Sequence, residues 1–412
     1  MEPAARRVIR QAAFAGLLSA TACAVMQPPP GGPPDFDPPI LLGVTPDSGT
    51  VADSLEDHLV FQFDEVVSEQ SGGGIENLLE LYPQTPELIE QVDVDWRRAA
   101  VAVRPVGGWK PNLVYQVTLL PGVADLRNNR IEESRTVIFS TGGPIPDTRV
   151  SGILLDWENG TVGVGALVQA MLLPDSLTYS TTADSVGEYV LTALPVGTYV
   201  LTGAIDANRN RRRERLEPFD TVTVTVDGQS EHVFWAVTQD TTGPQLRSSE
   251  SLDSITVRLL FNQKLEPGDP SLASFAVWAL PDTVPVAVAA AFTAATFDSI
   301  VTAERVFRDS LARLEQDSLA ALADTLDTPA DTGDVAEPAV SVLEIAQDTL
   351  PPSPAELLLQ QRPALSDRLI IRLAEPMAPE ARFLIDATAR NVIQAESTSR
   401  TLLIVPALPD ST

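Results

Sequence analysis

The sequence carries a single cysteine and two histidines in 412 residues. One cysteine excludes an intramolecular disulfide, so stability must come from packing or from bound ions. The histidines, His58 and His232, both sit in strand-like alternation, where a sheet-face residue is the ordinary reading. Other catalytic signatures are also missing. There is no His-Glu-x-x-His pair, no phosphate-cradling Gly-rich loop, no dinucleotide-binding glycine pattern and no G-x-S-x-G elbow. Glycoside hydrolysis needs only two carboxylates and so survives by counting, although nothing singles out a pair. Positive charge is scarce as well: 28 basic residues stand against 56 acidic ones, a net charge of −28. Such a chain repels phosphate backbones and anionic headgroups at long range, which excludes nucleic acid as the expected partner.

What is present favours short strands. Hydrophobic residues make up 44% of the chain, enough for real cores. Proline (34) outnumbers glycine (24), which disfavours long helices and supplies turns.

The first 23 residues read as an export signal. Arg6, Arg7 and Arg10 form a positive n-region, and Ala12 to Ala22 is an uncharged apolar stretch too short to remain as a membrane span. It ends Ser19-Ala20-Thr21-Ala22-Cys23, which resembles the bacterial lipobox, with Ala20 where that motif usually has Leu. The resemblance implies diacylation of Cys23 and a membrane anchor. The rival reading is a soluble secreted protein cut at the same Ala-x-Ala pattern. Ala24 follows the cysteine in place of the Asp that marks inner-membrane retention in some bacteria, so the expected address is the outer membrane, periplasmic or surface face open. Residues 24–38, rich in Pro and Gly, read as an extended tether.

The expected fold class is all-β: tandem antiparallel β-sandwiches, with a partly helical, partly disordered insertion in the last. In residues 39–142, period-two alternation marks strands at His58–Phe63, Ala100–Arg104, Val114–Leu119 and Thr136–Ser140, with turn signals at Pro46-Asp-Ser-Gly, Gly107-Gly108, Lys110-Pro-Asn and Arg127-Asn-Asn. The ordered set Thr45-Pro-Asp-Ser-Gly, Leu59-Val-Phe-Gln-Phe-Asp-Glu-Val-Val, Lys110-Pro-Asn-Leu-Val-Tyr-Gln-Val, Val123-Ala-Asp-Leu-Arg-Asn-Asn and Phe139-Ser-Thr-Gly resembles the bacterial Ig-like domain of surface-layer proteins. Asn128-Asn129 stands where that family often has Gly-Asn, and Asn tolerates the positive φ such a turn needs.

Residues 147–238 carry Asp184-Ser-Val-Gly-Glu-Tyr and Leu194-Pro-Val-Gly-Thr-Tyr-Val-Leu. These resemble the transthyretin-like, carboxypeptidase-regulatory type of sandwich, which implies a module without a peptidase's metal ligands. Residues 242–412 repeat the alternation at Asp253–Leu265, Arg368–Leu373, Arg382–Thr388 and Arg400–Pro406, and read as a divergent Ig-like sandwich. It is split by an insertion at about 297–361. There Val306, Leu311, Leu314, Leu319 and Leu322 are expected near one helix face, and Thr325–Glu337 is expected to be disordered. Such a helix recruits a partner, packs on its own domain or stays mobile.

One loop has ligand spacing. Asp206, Asn208, Asn210, Glu214 and Glu217 occupy positions one, three, five, nine and twelve, the pattern of an EF-hand-type calcium loop. Position six is Arg211 instead of Gly, and strands flank the loop. The alternative is a solvated hairpin whose arginines pair with nearby acids. The cluster Arg211, Arg212 and Arg213 also reads as an anion site for lipid phosphate or acidic glycan. The five tryptophans, Trp96, Trp109, Trp157, Trp235 and Trp278, are scattered along the chain, so packing is their default role; a sugar platform needs two or three on one surface.

These features imply a non-enzymatic envelope lipoprotein whose modules are spacers or interaction domains, with envelope proteins or glycans as partners. The alternatives are a carbohydrate-binding accessory module of an extracellular hydrolase system and a glycosidase-type enzyme on a sandwich scaffold.

Overall fold

The computed structural model describes residues 35–52, 55, 57–85, 92–324 and 352–407. The signal, Cys23, most of the tether and the segment Thr325–Glu337 lie outside the described residues.

The first sandwich packs one four-stranded sheet on one three-stranded sheet. The larger holds β1 (Leu41–Thr45), β2 (Leu59–Phe63), β5 (Ala100–Pro105) and β4 (Val92–Trp96), in that spatial order. The smaller holds β3 (Leu79–Tyr82), β6 (Val114–Leu119) and β7 (Arg135–Ser140). Alternation decides the faces: Leu59, Phe61 and Phe63 point inward and are buried, while Gln62 stays outside. Each such apolar side chain contributes roughly 1.5–3 kcal/mol on burial. The Lys110-Pro-Asn-Leu-Val-Tyr motif has a packing explanation. Tyr115 meets Trp109 edge-on at 4.9 Å and stacks on Phe139 at 5.5 Å, while its hydroxyl accepts a hydrogen bond from Lys110 N at 2.7 Å. Asn128 does take a positive φ, 72°.

The second sandwich has a sheet of β11 (Leu177–Thr182), β10 (Leu167–Leu172), β13 (Gly197–Ala204) and β14 (Phe219–Val226), in that order. Opposite it, β8 (Arg149–Asp156) pairs antiparallel with β12 (Glu188–Thr192) and β9 (Thr161–Val162), and parallel with β15 (Gln229–Glu231) and β16 (Phe234–Ala236). Gly152 in β8 is required by crowding: a Cβ there would lie 1.8 Å from the His232 carbonyl oxygen, the atom that accepts from Tyr189 Oη at 2.8 Å.

The third sandwich opposes β17 (Leu246–Ser251), β18 (Thr256–Phe261), β22 (Arg368–Leu373) and β21 (Val288–Thr293) to β20 (Val284–Val286), β19 (Phe275–Leu280), β23 (Arg382–Arg390) and β24 (Glu396–Ile404). The architecture is therefore tandem all-β sandwiches.

The insertion departs from expectation in two ways. A 31-residue helix, α1 (Ala294–Asp324), runs directly out of β21. Residues turn by about 100° each, so Leu311, Leu314, Leu319 and Leu322 fall within about 140° of arc while Val306 lies about 80° outside it. Leu322 falls outside the residues with described side chains. Val306, Phe307, Leu311, Leu314 and Leu319 are all exposed, so these side chains do not pack on the helix's own sandwich. The base is held instead: Arg372 of β22 lies over Phe292 and Phe297, 5.7 and 5.5 Å from the ring centroids. The second departure is α2 (Pro354–Leu359), a short helix with a Ser353/Glu356 capping box, which packs on the second sandwich.

Candidate functional site

The Asp206–Glu217 loop joins β13 to β14. It brings all five expected residues into one hydrogen-bonded network. Asp206, buried at the loop's start, accepts from Asn210 N (3.1 Å) and Arg211 N (2.7 Å). Glu217, buried at its end, accepts from Ala207 N (3.2 Å) and Glu214 N (2.8 Å). Asn208 Oδ1 accepts from Asn210 N, and Asn210 Oδ1 from Arg212 N. The two amide Nδ2 groups then donate to Glu214 Oε1, at 3.1 and 2.9 Å.

The asparagine oxygens accept from backbone N–H groups and the Nδ2 groups donate to Glu214, so without an ion the five residues satisfy one another; each amide oxygen keeps a second lone pair. Arg211 occupies the glycine position at φ 59°, a left-handed conformation that costs a non-glycine residue roughly 1 kcal/mol.

The arginines do not act as one cluster. Arg211 forms an ion pair with Glu80 of the first sandwich. Arg213 lies over the Phe219 ring, 4.4 Å from its centroid. Arg212 is exposed. The histidines have other neighbours. His58 Nε2 is 3.8 Å from Asp93, and His232 sits edge-on to Phe234 at 4.9 Å. Burial pushes the His232 pKa below its ordinary value, with Asp220 opposing.

Three places were not legible from the chain. The first is an acidic cluster in the first sandwich, where Asp35, Glu65 and Asp125 bring oxygens within 4.8 Å of one another. Asp125 is buried but well supplied, accepting from Arg127 N, Asn129 N and Asn129 Nδ2, each at 2.8 Å. Burial pushes its pKa up, yet these hydrogen bonds, those from Asn129 above all, outweigh it and hold the carboxyl below the ordinary range. Glu65 moves the other way, raised by burial and then by Asp125, Asp35 and Asp64. Asp125 belongs to the Val123–Asn129 turn motif, which was the only available signal.

The second is the seam between the first two sandwiches. Gln84 and Thr178 exchange both backbone hydrogen bonds at 2.8 Å, a bridge from one sandwich to the next. Tyr179, fully buried, donates its hydroxyl to Val114 O at 3.1 Å. Gln116 Nε2 donates to Thr192 O at 2.7 Å. Tyr82, from β3, is buried within the core of the second sandwich. Beside the seam runs a groove of about 480 Å³, lined among others by Glu80, Gln116, Thr118, Thr136, Ser180 and Arg211.

The third is an aromatic corner on the second sandwich. Trp157 and Trp235 meet edge-on at 6.2 Å, and the Arg362 guanidinium lies over both rings at 4.7 and 4.3 Å.

Residues 35–141 match the bacterial Ig-like domain family and are similar to it along almost the whole first sandwich. No curated protein matches the chain. Solved structures that match include the Bacillus anthracis TIE protein, 12% identical, with 63% of this chain and 48% of that one covered and a TM-score of 0.16. This chain thus spans about half the length of that protein. The major pilin subunit BcpA of Bacillus cereus is 10% identical over 49% of this chain and 71% of that one, with a TM-score of 0.18. Surface layer protein SbsC, domains 1–6, is 11% identical over 90% and 41%, again at 0.18. At these scores the alignments carry no argument, and the architecture stands on the sheets described above. Among the described residues, no helix is long and apolar enough to cross a membrane.

Proposed function

We propose that this chain is a non-enzymatic spacer of the bacterial cell envelope, tethered through acylated Cys23, with the first two sandwiches forming a stiff unit. The seam is the observation that supports this reading. A main-chain bridge, a buried phenol-to-carbonyl bond and a tyrosine of the first sandwich lodged in the core of the second resist bending in a way that a bare linker does not. Domain interfaces within a chain are usually small and permit relative motion; a side chain of one body buried in the core of the next works against that. The second sandwich belongs, on this reading, to the transthyretin-like regulatory type. Its Asp206–Glu217 loop acts as a staple, reaching the first sandwich through the Arg211–Glu80 ion pair.

Small-angle scattering tests the stiffness. The expected curve fits one rigid arrangement of the first two sandwiches, and a curve that requires a free hinge between them removes the proposal. Metabolic lipid labelling of the wild type and of Cys23→Ser tests the anchor separately, with label expected only in the wild type.

The groove beside the seam supports a second reading, an envelope glycan as partner. Its hydroxyl and amide lining suits a polyhydroxylated ligand better than an apolar one. Glycan-array binding that vanishes in Gln116→Ala would favour it, and an empty array would end it.

A further inference from the structure

We infer that the segment from Ser353 to Pro363 is a strap that sets the angle between the second and third sandwiches, and that the Trp157–Trp235 corner is the guanidinium seat that locks it. This deepens the spacer reading and rests on it: the first joint is welded, the second is held by a removable pin.

The strap is built from three contacts. α2 lays Ala355, Leu358 and Leu359 on the outer face of the second sandwich, against Ile153, Leu155, Val162, Val233 and Trp235. Arg362 follows and places its guanidinium between the two tryptophan rings. Trp157 Nε1 then donates to Pro363 O at 3.1 Å, which fixes the indole against the strap's backbone. Leu365 is buried, and the chain enters β22 at Arg368, a central strand of the third sandwich. The strap therefore has one end on each body.

The linker itself supplies polar ties. Thr238 N donates to Glu158 Oε1 and Gln239 Nε2 to Phe219 O on the second sandwich, while Asp240 O and Thr242 O accept from Asn391 Nδ2 and Gln263 Nε2 on the third. The strap adds an apolar contact on the second sandwich to these polar ties.

The strap is also built to be released. Six residues are too few for a helix to persist alone in water, so α2 is helical because it is docked. Arg362 is exposed to solvent, so its cation–π contacts hold without deep burial. Arginine suits the seat better than lysine: its weakly hydrated guanidinium lies over both rings, which meet at 74°, where an ammonium is a compact, strongly hydrated point charge.

Hydrogen exchange and scattering on the full chain test this together. In Arg362→Ala, protection at the α2 amides of Leu357, Gln360 and Gln361 should fall about tenfold. The scattering should broaden to a hinged second joint. Arg362→Lys should resemble Arg362→Ala. Amides at the first seam, Gln84 and Thr178, should keep their protection. Unchanged protection in α2 would overturn the lock. Lost protection with unchanged scattering would overturn the strap's hold on the angle. Protection lost equally at both seams would mark a global opening and likewise overturn the assignment. A first joint already hinged in the wild type would defeat the spacer reading, yet leave the strap's own result readable at the second.

Discussion

Tyr179→Phe isolates the coupling between the first two sandwiches. The substitution deletes one hydroxyl and leaves the ring, so packing volume in the core barely changes. The lost bond is the 3.1 Å contact from a fully buried phenol to Val114 O on the neighbouring sandwich. Removing one partner of a buried hydrogen bond costs about 1–2 kcal/mol. If the two sandwiches melt as one unit of 150–250 residues, each kcal/mol lowers the melting point by about 2–4 °C. The needed comparison is Tyr199→Phe. Its hydroxyl donates to Pro195 O at 2.7 Å within the second sandwich, so it removes a similar bond without touching the seam. Calorimetry should show both variants melting lower by a similar amount. Only Tyr179→Phe should split or broaden the shared transition. Burial raises the Tyr179 phenol far above its ordinary pKa, so ionisation does not complicate measurements near neutral pH. Equal peak shapes in the two variants, or two separate peaks already present in the wild type, would refute the coupling.

Glu65→Gln should raise the melting temperature of the first sandwich at pH 7 and do little at pH 4. The folded pKa of Glu65 is raised, so its contribution is present when the group is protonated and is lost as pH rises through that raised value. Asp125 is depressed, so its stabilisation is present above the ordinary Asp value and disappears as pH falls through the depressed one. A Glu65→Gln variant that melted lower than the wild type at pH 7 would reverse the assigned sign. Millimolar calcium separates the two readings of the Asp206–Glu217 loop: a hydrogen-bonded hairpin leaves the melting curve unmoved, whereas a site filled at one hundred times its dissociation constant adds about 2.7 kcal/mol. Limited trypsin digestion should cut first in α1, at Arg305, Arg308 or Arg313, since its side chains are exposed and its backbone is unsupported by a core. First cuts within the sandwiches, located by mass spectrometry, would contradict that.

The sequence disclosed the sandwiches because the signal is local. Leu59–Phe63, Val114–Leu119 and Arg368–Leu373 alternate or run apolar with turns on either side, and each became a strand. Strands such as β4 and β21 were missed: Val-Asp-Val-Asp-Trp does alternate with period two but is short and carries two aspartates, a residue depleted in strands, and Val288–Thr293 is half alanine, with weak strand propensity. The calcium-like spacing was real as spacing, since it brought five residues together, but spacing does not say which way an amide turns. Trp157 and Trp235 were visible as tryptophans, but their meeting with each other and with Arg362 had no signal. The arginine is far along the chain from both tryptophans, on a strap whose docking depends on tertiary structure. The spacing expected for α1 groups its four leucines, but spacing does not say whether such a face is covered, and Leu311, Leu314 and Leu319 are exposed.

Tyr82 places a limit on how this chain can be rearranged in evolution. Ig-like modules are commonly pictured as beads that recombine at their linkers. Here one bead's side chain fills a socket in the next. A recombination point between Gly142 and Asp147 would separate Tyr82 from its socket, leaving the second module with a hole and the first with an exposed ring. Emptying a large aromatic site costs about 3–5 kcal/mol, a large share of a small domain's stability. The two sandwiches are thus expected to have been inherited as a pair, with the unit of exchange beginning before β1 and ending after β16.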